Sequence, residues 1–178
     1  PYDRRPKIVW PNGARIAFWV APNIEAYELN PPANAFRTPW PHPFPAVPGY
    51  SIRDYGNRVG HMRQMRVLDK YGVRGSISLS SALIDHHPEI IELCRERNWE
   101  FFSHGIYNTR YTYGMSERQE RAFIADVQAS VLKWSGHELK GWLAPAITLT
   151  ERTIDLLAEA GLTYTLDLFH DDQPLPVN

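Results

Sequence analysis

The stretch Trp99-Glu-Phe-Phe-Ser-His104-Gly-Ile-Tyr-Asn108 decides how this chain is read. Its first half is a short apolar run, too brief for a helix and suited to a strand buried on both faces. It then gives way to a histidine, a glycine and an asparagine. In parallel α/β proteins the loops that leave the C-terminal ends of strands carry the chemistry. His104 is therefore the first catalytic candidate, and the other strand ends are where its partners are to be sought.

Working outward, Arg15 to Ala21 reads as a first buried strand, because Ile16, Ala17, Phe18, Trp19 and Val20 form a continuous apolar run. Prolines and aromatics crowd residues 31–48, which predicts an extended, ordered loop covering the site. A helix is expected over Asn57 to Lys70, stopped by Gly72, and then a strand over Val73 to Leu79. His87-Pro88 opens a further helix running to about Arg97, with proline in its favoured first position. The third strand is Trp99 to Ser103. Ser116-Glu-Arg-Gln119 is a capping-box signature for a long helix ended by Gly136. A fourth strand over Gly141 to Ala144, a helix capped by Thr150 and closed by Gly161, and a fifth strand over Leu162 to Leu168 complete the pattern. Strand and helix alternate throughout, which predicts an α/β fold with a parallel sheet, either doubly wound or part of a barrel.

The 178 residues, 43% hydrophobic and 22% charged, suffice for a single domain over 1–178 with a substantial core. A formal net charge of -1, with Lys and Arg spread along the chain, gives no electrostatic reason for nucleic acid or a membrane as partner. A small-molecule substrate fits better. The lone Cys94 forms no intrachain disulfide and reads as a buried small hydrophobe, and a cytoplasmic location is expected. His42, His61 and His137 read as surface residues, and His86-His87 as a helix-start pair rather than a metal site.

Residues just beyond the strands are Asn23, Glu25 and Glu28; Ser80 and Ser81; His104 and Asn108; Pro145; and Asp167, His170, Asp171 and Asp172. A carboxylate and an imidazole facing one cavity divide general-base and general-acid work, because a shared pocket separates their proton affinities. Glu25 and His104 form the expected pair. Asn23, Arg58, Asn108, Trp142, Pro145, His170, Asp171 and Asp172 are the candidate substrate contacts. His170-Asp-Asp172 also reads as ordinary turn chemistry, and Arg58 equally as the partner of a nearby acid. A nucleophile elbow, a Walker-type loop, a dinucleotide fingerprint and a zinc-spaced cysteine pair are all missing, which sets aside serine nucleophiles and nucleotide cofactors.

Phe18-Trp-Val-Ala-Pro-Asn-Ile-Glu25, Tyr55-Gly-Asn-Arg-Val-Gly60, Ser103-His-Gly105, Gly141-Trp-Leu-Ala-Pro145 and His170-Asp-Asp-Gln-Pro174 follow one another as in the polysaccharide deacetylase superfamily, and the chain most resembles its allantoinase and cyclic-imidase-like branch. That resemblance implies a distorted (β/α) barrel of about seven strands, of which this chain supplies about five. Two further strands and a last catalytic histidine would then follow Asn178, and a second chain or a homo-oligomer could cover the open edges. It also implies hydrolysis of a carbon–nitrogen bond.

Sugar deacetylases of the superfamily carry a paired-aspartate motif and two histidines spaced four apart, whereas the matching positions here are Glu25-Ala26 and His104 with Asn108. The metal-free branch carries a glutamate after its first strand, which matches Glu25. The leading expectation is thus a hydrolase of a small amide, ureide or cyclic imide with no cofactor, Glu25 acting as base and His104 as acid. The alternatives are an N-deacetylase of an amino sugar or peptidoglycan fragment, with a divalent metal such as zinc at Glu25 and His104, and a degenerate barrel without turnover.

Overall fold

The computed structural model describes residue 4 and residues 6–32 and 45–177. Five short strands build one sheet: β1 (Asn23–Ile24), β2 (Ser76–Leu79), β3 (Glu100–Ser103), β4 (Gly141–Trp142) and β5 (Tyr164–Thr165). All neighbours are parallel, and their order in the sheet is their order in the chain. A strand order that never reverses, joined by right-handed crossovers, winds in one direction and places every crossover on the same face. This is the arrangement of a barrel segment and not of a doubly wound sheet, and it resolves what periodicity left open. The sheet is not closed, since β1 and β5 each pair on one side only.

The helices are α1 (Val47–Tyr55), α2 (His61–Lys70), α3 (Leu83–His86), α4 (Pro88–Glu96), α5 (Glu117–Ser135) and α6 (Thr153–Glu159), with a π-helical stretch, Gly56–Gly60, joining α1 to α2. Helix α5 starts and stops as its sequence dictates. Ser116 and Gln119 form the capping box, and Gly136 adopts a φ of 73° as the left-handed C-terminal residue. Helix α4 begins with Pro88 in its first turn. Ile77, Leu79 and Phe101 from the strands are buried with Ile90, Ile91, Cys94, Ile124, Val127, Val131 and Leu156 from the helices, forming the core. Glu120 of α5, itself buried, accepts hydrogen bonds from the hydroxyls of Thr150 (2.6 Å) and Thr153, which ties α5 to the start of α6. No helix among the described residues is long and apolar enough to cross a membrane.

Several expectations change. In the first apolar run, Arg15 to Ala21, only Val20 pairs, in an isolated bridge to Gly75; the strand itself, Asn23–Ile24, comes after the run, and Ile16 and Phe18 are each 80% exposed. An apolar run is buried on both faces only where both are covered, and this one lies at the sheet edge. The helix expected from Asn57 begins ten residues earlier, at Val47, inside the segment read as loop. Pro48 lies in its first turn, where the missing N–H has no intrahelical partner to lose. Residues 33–44, the rest of the expected cover, fall outside the described residues. Helix α6 starts at Thr153 rather than directly after Thr150, and β4 and β5 are shorter than their apolar runs.

His61, expected at the surface, is buried between Cys94, whose Sγ lies 3.7 Å from its Nε2, and the edge of Trp99. Its position on the same helical face as Met65 draws it into the core. Burial pushes its pKa from 6.5 down to about 4 and that of the Cys94 thiol up to about 12. The folded chain thus holds His61 neutral where the unfolded chain would protonate it. This contribution to stability is complete above pH 6.5 and is lost as the pH falls toward 4, by about 3 kcal/mol. Urea denaturation at pH 7 and pH 4 should therefore show a smaller acid-induced loss in His61→Leu than in the parent; an equal loss in both would show that this imidazole is not the sensitive group.

Candidate functional site

The parallel register aligns three strand ends. Ile24 pairs with Leu79, and Leu79 with Ser103, so the next residues, Glu25, Ser80 and His104, stand in a row across the edge of the sheet. Adjacent strands lie about 4.8 Å apart, so the outer two backbones are about 10 Å apart. The middle residue is a small, fully buried serine, and the long glutamate and the histidine meet over it. His104 Nε2 lies 3.5 Å from Glu25 Oε1.

Each member of the pair is held from behind. His104 Nδ1 is 3.1 Å from the carbonyl oxygen of Leu143, at the end of β4. A carbonyl and a carboxylate are both acceptors, so the imidazole lies between two groups that each favour an N–H toward them. The amide of Asn108 donates to Glu25 Oε2 at 3.0 Å and also to the hydroxyl of Tyr27, while its own backbone N–H bonds the carbonyl of Ala26 at 2.9 Å. Asn57 donates to the backbone carbonyl of Glu25 at 3.0 Å, and Asn23 reaches Oε1 at 3.5 Å. Burial would raise the Glu25 pKa, but the hydrogen bond and charge of His104 outweigh it, helped by Tyr27 and Arg53, and hold the carboxyl below its ordinary value. The Tyr27 hydroxyl is pushed up by burial and by the Glu25 charge.

Gly105 turns the chain immediately after His104 with a φ of 67°, and a Cβ there would lie 2.6 Å from Cγ of Pro145. No side chain fits that approach, which explains the His-Gly pair and brings Pro145 against the loop. Trp142 is buried in β4 with its ring edge-on to Phe123, 5.9 Å between centroids. Its Nε1 has no hydrogen-bond partner among the described residues.

Other expected contacts lie elsewhere. Arg58 points to the surface and pairs with Asp54 at 2.6 Å. His170, Asp171 and Asp172 are exposed on the segment after β5, where they line a groove with Trp19 and Phe169, and the Asp171 carboxylate accepts the N–H of Gln173 in a turn. In place of these acids, β5 delivers Asp167. It is buried, accepts the Ala144 N–H at 2.8 Å and the Thr165 hydroxyl at 2.7 Å, and burial raises its pKa despite those bonds and the charge of His104. Asp167 belongs to the strand-end residues by position, but the more conspicuous His-Asp-Asp run overshadows it. Tyr27 carries no signal in the sequence, and Asn57 enters only as part of the Tyr55–Gly60 stretch, since the contacts of both are long-range.

Glu25 and His104 offer two donors to a metal ion. Ala26, next to Glu25, has none to add, and the Asn108 amide is turned to donate its hydrogens to Glu25 and Tyr27. Among the described residues no three His, Cys, Asp or Glu side chains are grouped to hold an ion. Tetrahedral zinc needs three or four protein donors, so this donor set does not fit a tightly held ion.

No curated protein matches the chain. Among solved structures, a protein designated a polysaccharide deacetylase from Pseudomonas aeruginosa PAO1 superposes with a TM-score of 0.78 at 24% identity, over 96% of this chain and 60% of its own. The PuuE allantoinase superposes with a TM-score of 0.76 at 21% identity, over 96% and 60%. A protein designated a polysaccharide deacetylase from Mycobacterium smegmatis gives 0.71 at 25% identity, over 89% and 53%. The chain thus spans between half and three-fifths of the length of these neighbours, whose fold is the NodB-like (β/α) barrel. The polysaccharide deacetylase family model matches residues 52–165, well over half of the chain, and the protein belongs to that family.

Proposed function

We propose that this chain hydrolyses a carbon–nitrogen bond in a small amide, ureide or cyclic imide without a metal ion, with Glu25 as the base and His104 as the acid. The observation that carries the proposal is the 3.5 Å approach of a carboxylate and an imidazole at the strand ends, each fixed on its far side. The fold shared with an allantoinase supports the same reading.

In this mechanism a water molecule hydrogen-bonded to the ionised Glu25 attacks the substrate carbonyl carbon while its proton passes to the carboxylate. The Nε2 proton of His104 goes to the leaving nitrogen as the carbon–nitrogen bond breaks. Leu143 steadies the resulting neutral imidazole through its Nδ1–H. The Asn108 amide keeps Glu25 from rotating away between turnovers. General-acid or general-base catalysis is worth about 10²–10⁴-fold. Glu25→Gln and His104→Ala should each lower kcat/KM by about that factor toward whichever member of a panel of amides, ureides, cyclic imides and N-acetylated sugars the parent hydrolyses. Activity surviving in both variants would defeat the assignment.

The Glu25 carboxyl should titrate below 4.5 in the parent, read by carbon-13 NMR of labelled glutamates, so kcat/KM should fall with acid only below that value. In His104→Gln the opposing charge is gone and burial remains, so the same resonance should titrate at higher pH. An unmoved titration would mean that the two groups are not coupled in solution.

The family membership and the two available donors favour one second reading, a metal-dependent N-deacetylase. Stoichiometric zinc in the purified protein, with activity lost to a chelator and restored by zinc, would establish it in place of the first.

A further inference from the structure

Beside Glu25 lies a half-open cavity of about 240 Å³. Its walls include Tyr27, Tyr50, Arg53, Leu83, His86 and Tyr107. The cavity adjoins the catalytic pair through Tyr27, whose hydroxyl accepts from Asn108, and through Asn57, which holds the Glu25 backbone. Arg53, in the last turn of α1, stacks its guanidinium over the Tyr27 ring at 4.6 Å from the centroid.

The charges around this cavity do not cancel. Asp54 on its wall is taken by Arg58 at 2.6 Å and by His87 at 3.2 Å, and Glu28 by Arg110 at 2.7 Å. Glu25 is taken by His104. Arg53 forms no salt bridge with a described residue: its planar face lies over Tyr27, whose hydroxyl it also reaches, and it feels the Glu25 charge, so an acceptor would meet its remaining N–H groups. A guanidinium held flat by an aromatic ring is pre-oriented for a carboxylate, which it binds through two parallel hydrogen bonds. The volume is below that of a typical ligand pocket, and admits a charged head group with a few carbons rather than a sugar chain.

We propose that Arg53 and this cavity bind a carboxylate on the substrate, so that the substrates of the Glu25–His104 centre are anionic amides or ureides whose carboxylate lies a few bonds from the scissile carbonyl. This rests on the hydrolase reading above and adds to it the chemical class of the substrate. The aromatic walls cover the carbons between the two groups, and Arg53 fixes the distance from the anchored end to the reacting one.

The test reads binding apart from turnover. 4-Oxopentanoate carries a carboxylate and a carbonyl at such a spacing, and 5-hydroxypentan-2-one is its uncharged counterpart; neither has a bond that a carbon–nitrogen hydrolase cleaves. Titrated into the wild-type protein by NMR, the acid should bind at least about tenfold tighter than the alcohol, and in Arg53→Gln the ratio should fall below about threefold. Arg53→Lys, which keeps the charge and loses the fork, should give an intermediate ratio. Equal affinities in the wild-type protein, no detectable binding of the acid at about 20 mM, or a preference that survives Arg53→Gln would each overturn the proposal. Because neither probe is turned over, loss of the hydrolase reading through an active Glu25→Gln variant is a separate result from loss of the carboxylate site.

Discussion

The parallel register of β1, β2 and β3 is the constraint on which the site depends. It sets Glu25, Ser80 and His104 side by side, and the size of the middle residue lets the outer two meet. Hydrogen bonds along a parallel ladder define that register to the residue, because a slip by one would turn every side chain to the opposite face of the sheet. The apolar residues Ile77, Leu79 and Phe101 forbid such a slip, since they would leave the helix-covered face. The chemistry of the strand ends is thus held in place by the packing of the core behind them.

Electrostatics then couples the two groups. Two groups that would each be costly to bury alone are brought together at the rim, where Glu25 retains some contact with solvent and His104 almost none. The carboxyl is held below its ordinary pKa by its partner, and the imidazole lies between two acceptors. Asp167 stands behind Ala144 as a buried acid whose pKa burial raises against the bonds it accepts.

Much of this was legible beforehand, and the pattern of what was not is instructive. Capping chemistry is local, so the limits of α5 and the first turn of α4 could be read from Ser116, Gln119, Gly136 and Pro88. Glu25, His104 and Asn108 could be read as candidates because strand ends can be found from short apolar runs. Local reasoning failed where an outcome depended on what lay opposite. Ile16 and Phe18 look like core until the sheet is seen to end beside them, and His61 looks like surface until its helix face is seen to carry Met65 inward. Arg58 and Arg53 lie five residues apart, and only the fold shows that Arg58 pairs with Asp54 while Arg53 turns to the Tyr27 ring.

Alternating strand and helix signals, the caps and the identities of the strand-end residues are properties of short segments, and the sequence determined them unaided: an α/β chain of five strands with an acid, an imidazole and an amide among the residues beyond them. The direction of winding, the depth of His61 and Asp167, and the meeting of Glu25 with His104 across Ser80 were decided only in three dimensions. Each is a distance between residues far apart along the chain. Such distances are set by strand order, register and the packing of whole helices, none of which any single segment of sequence contains.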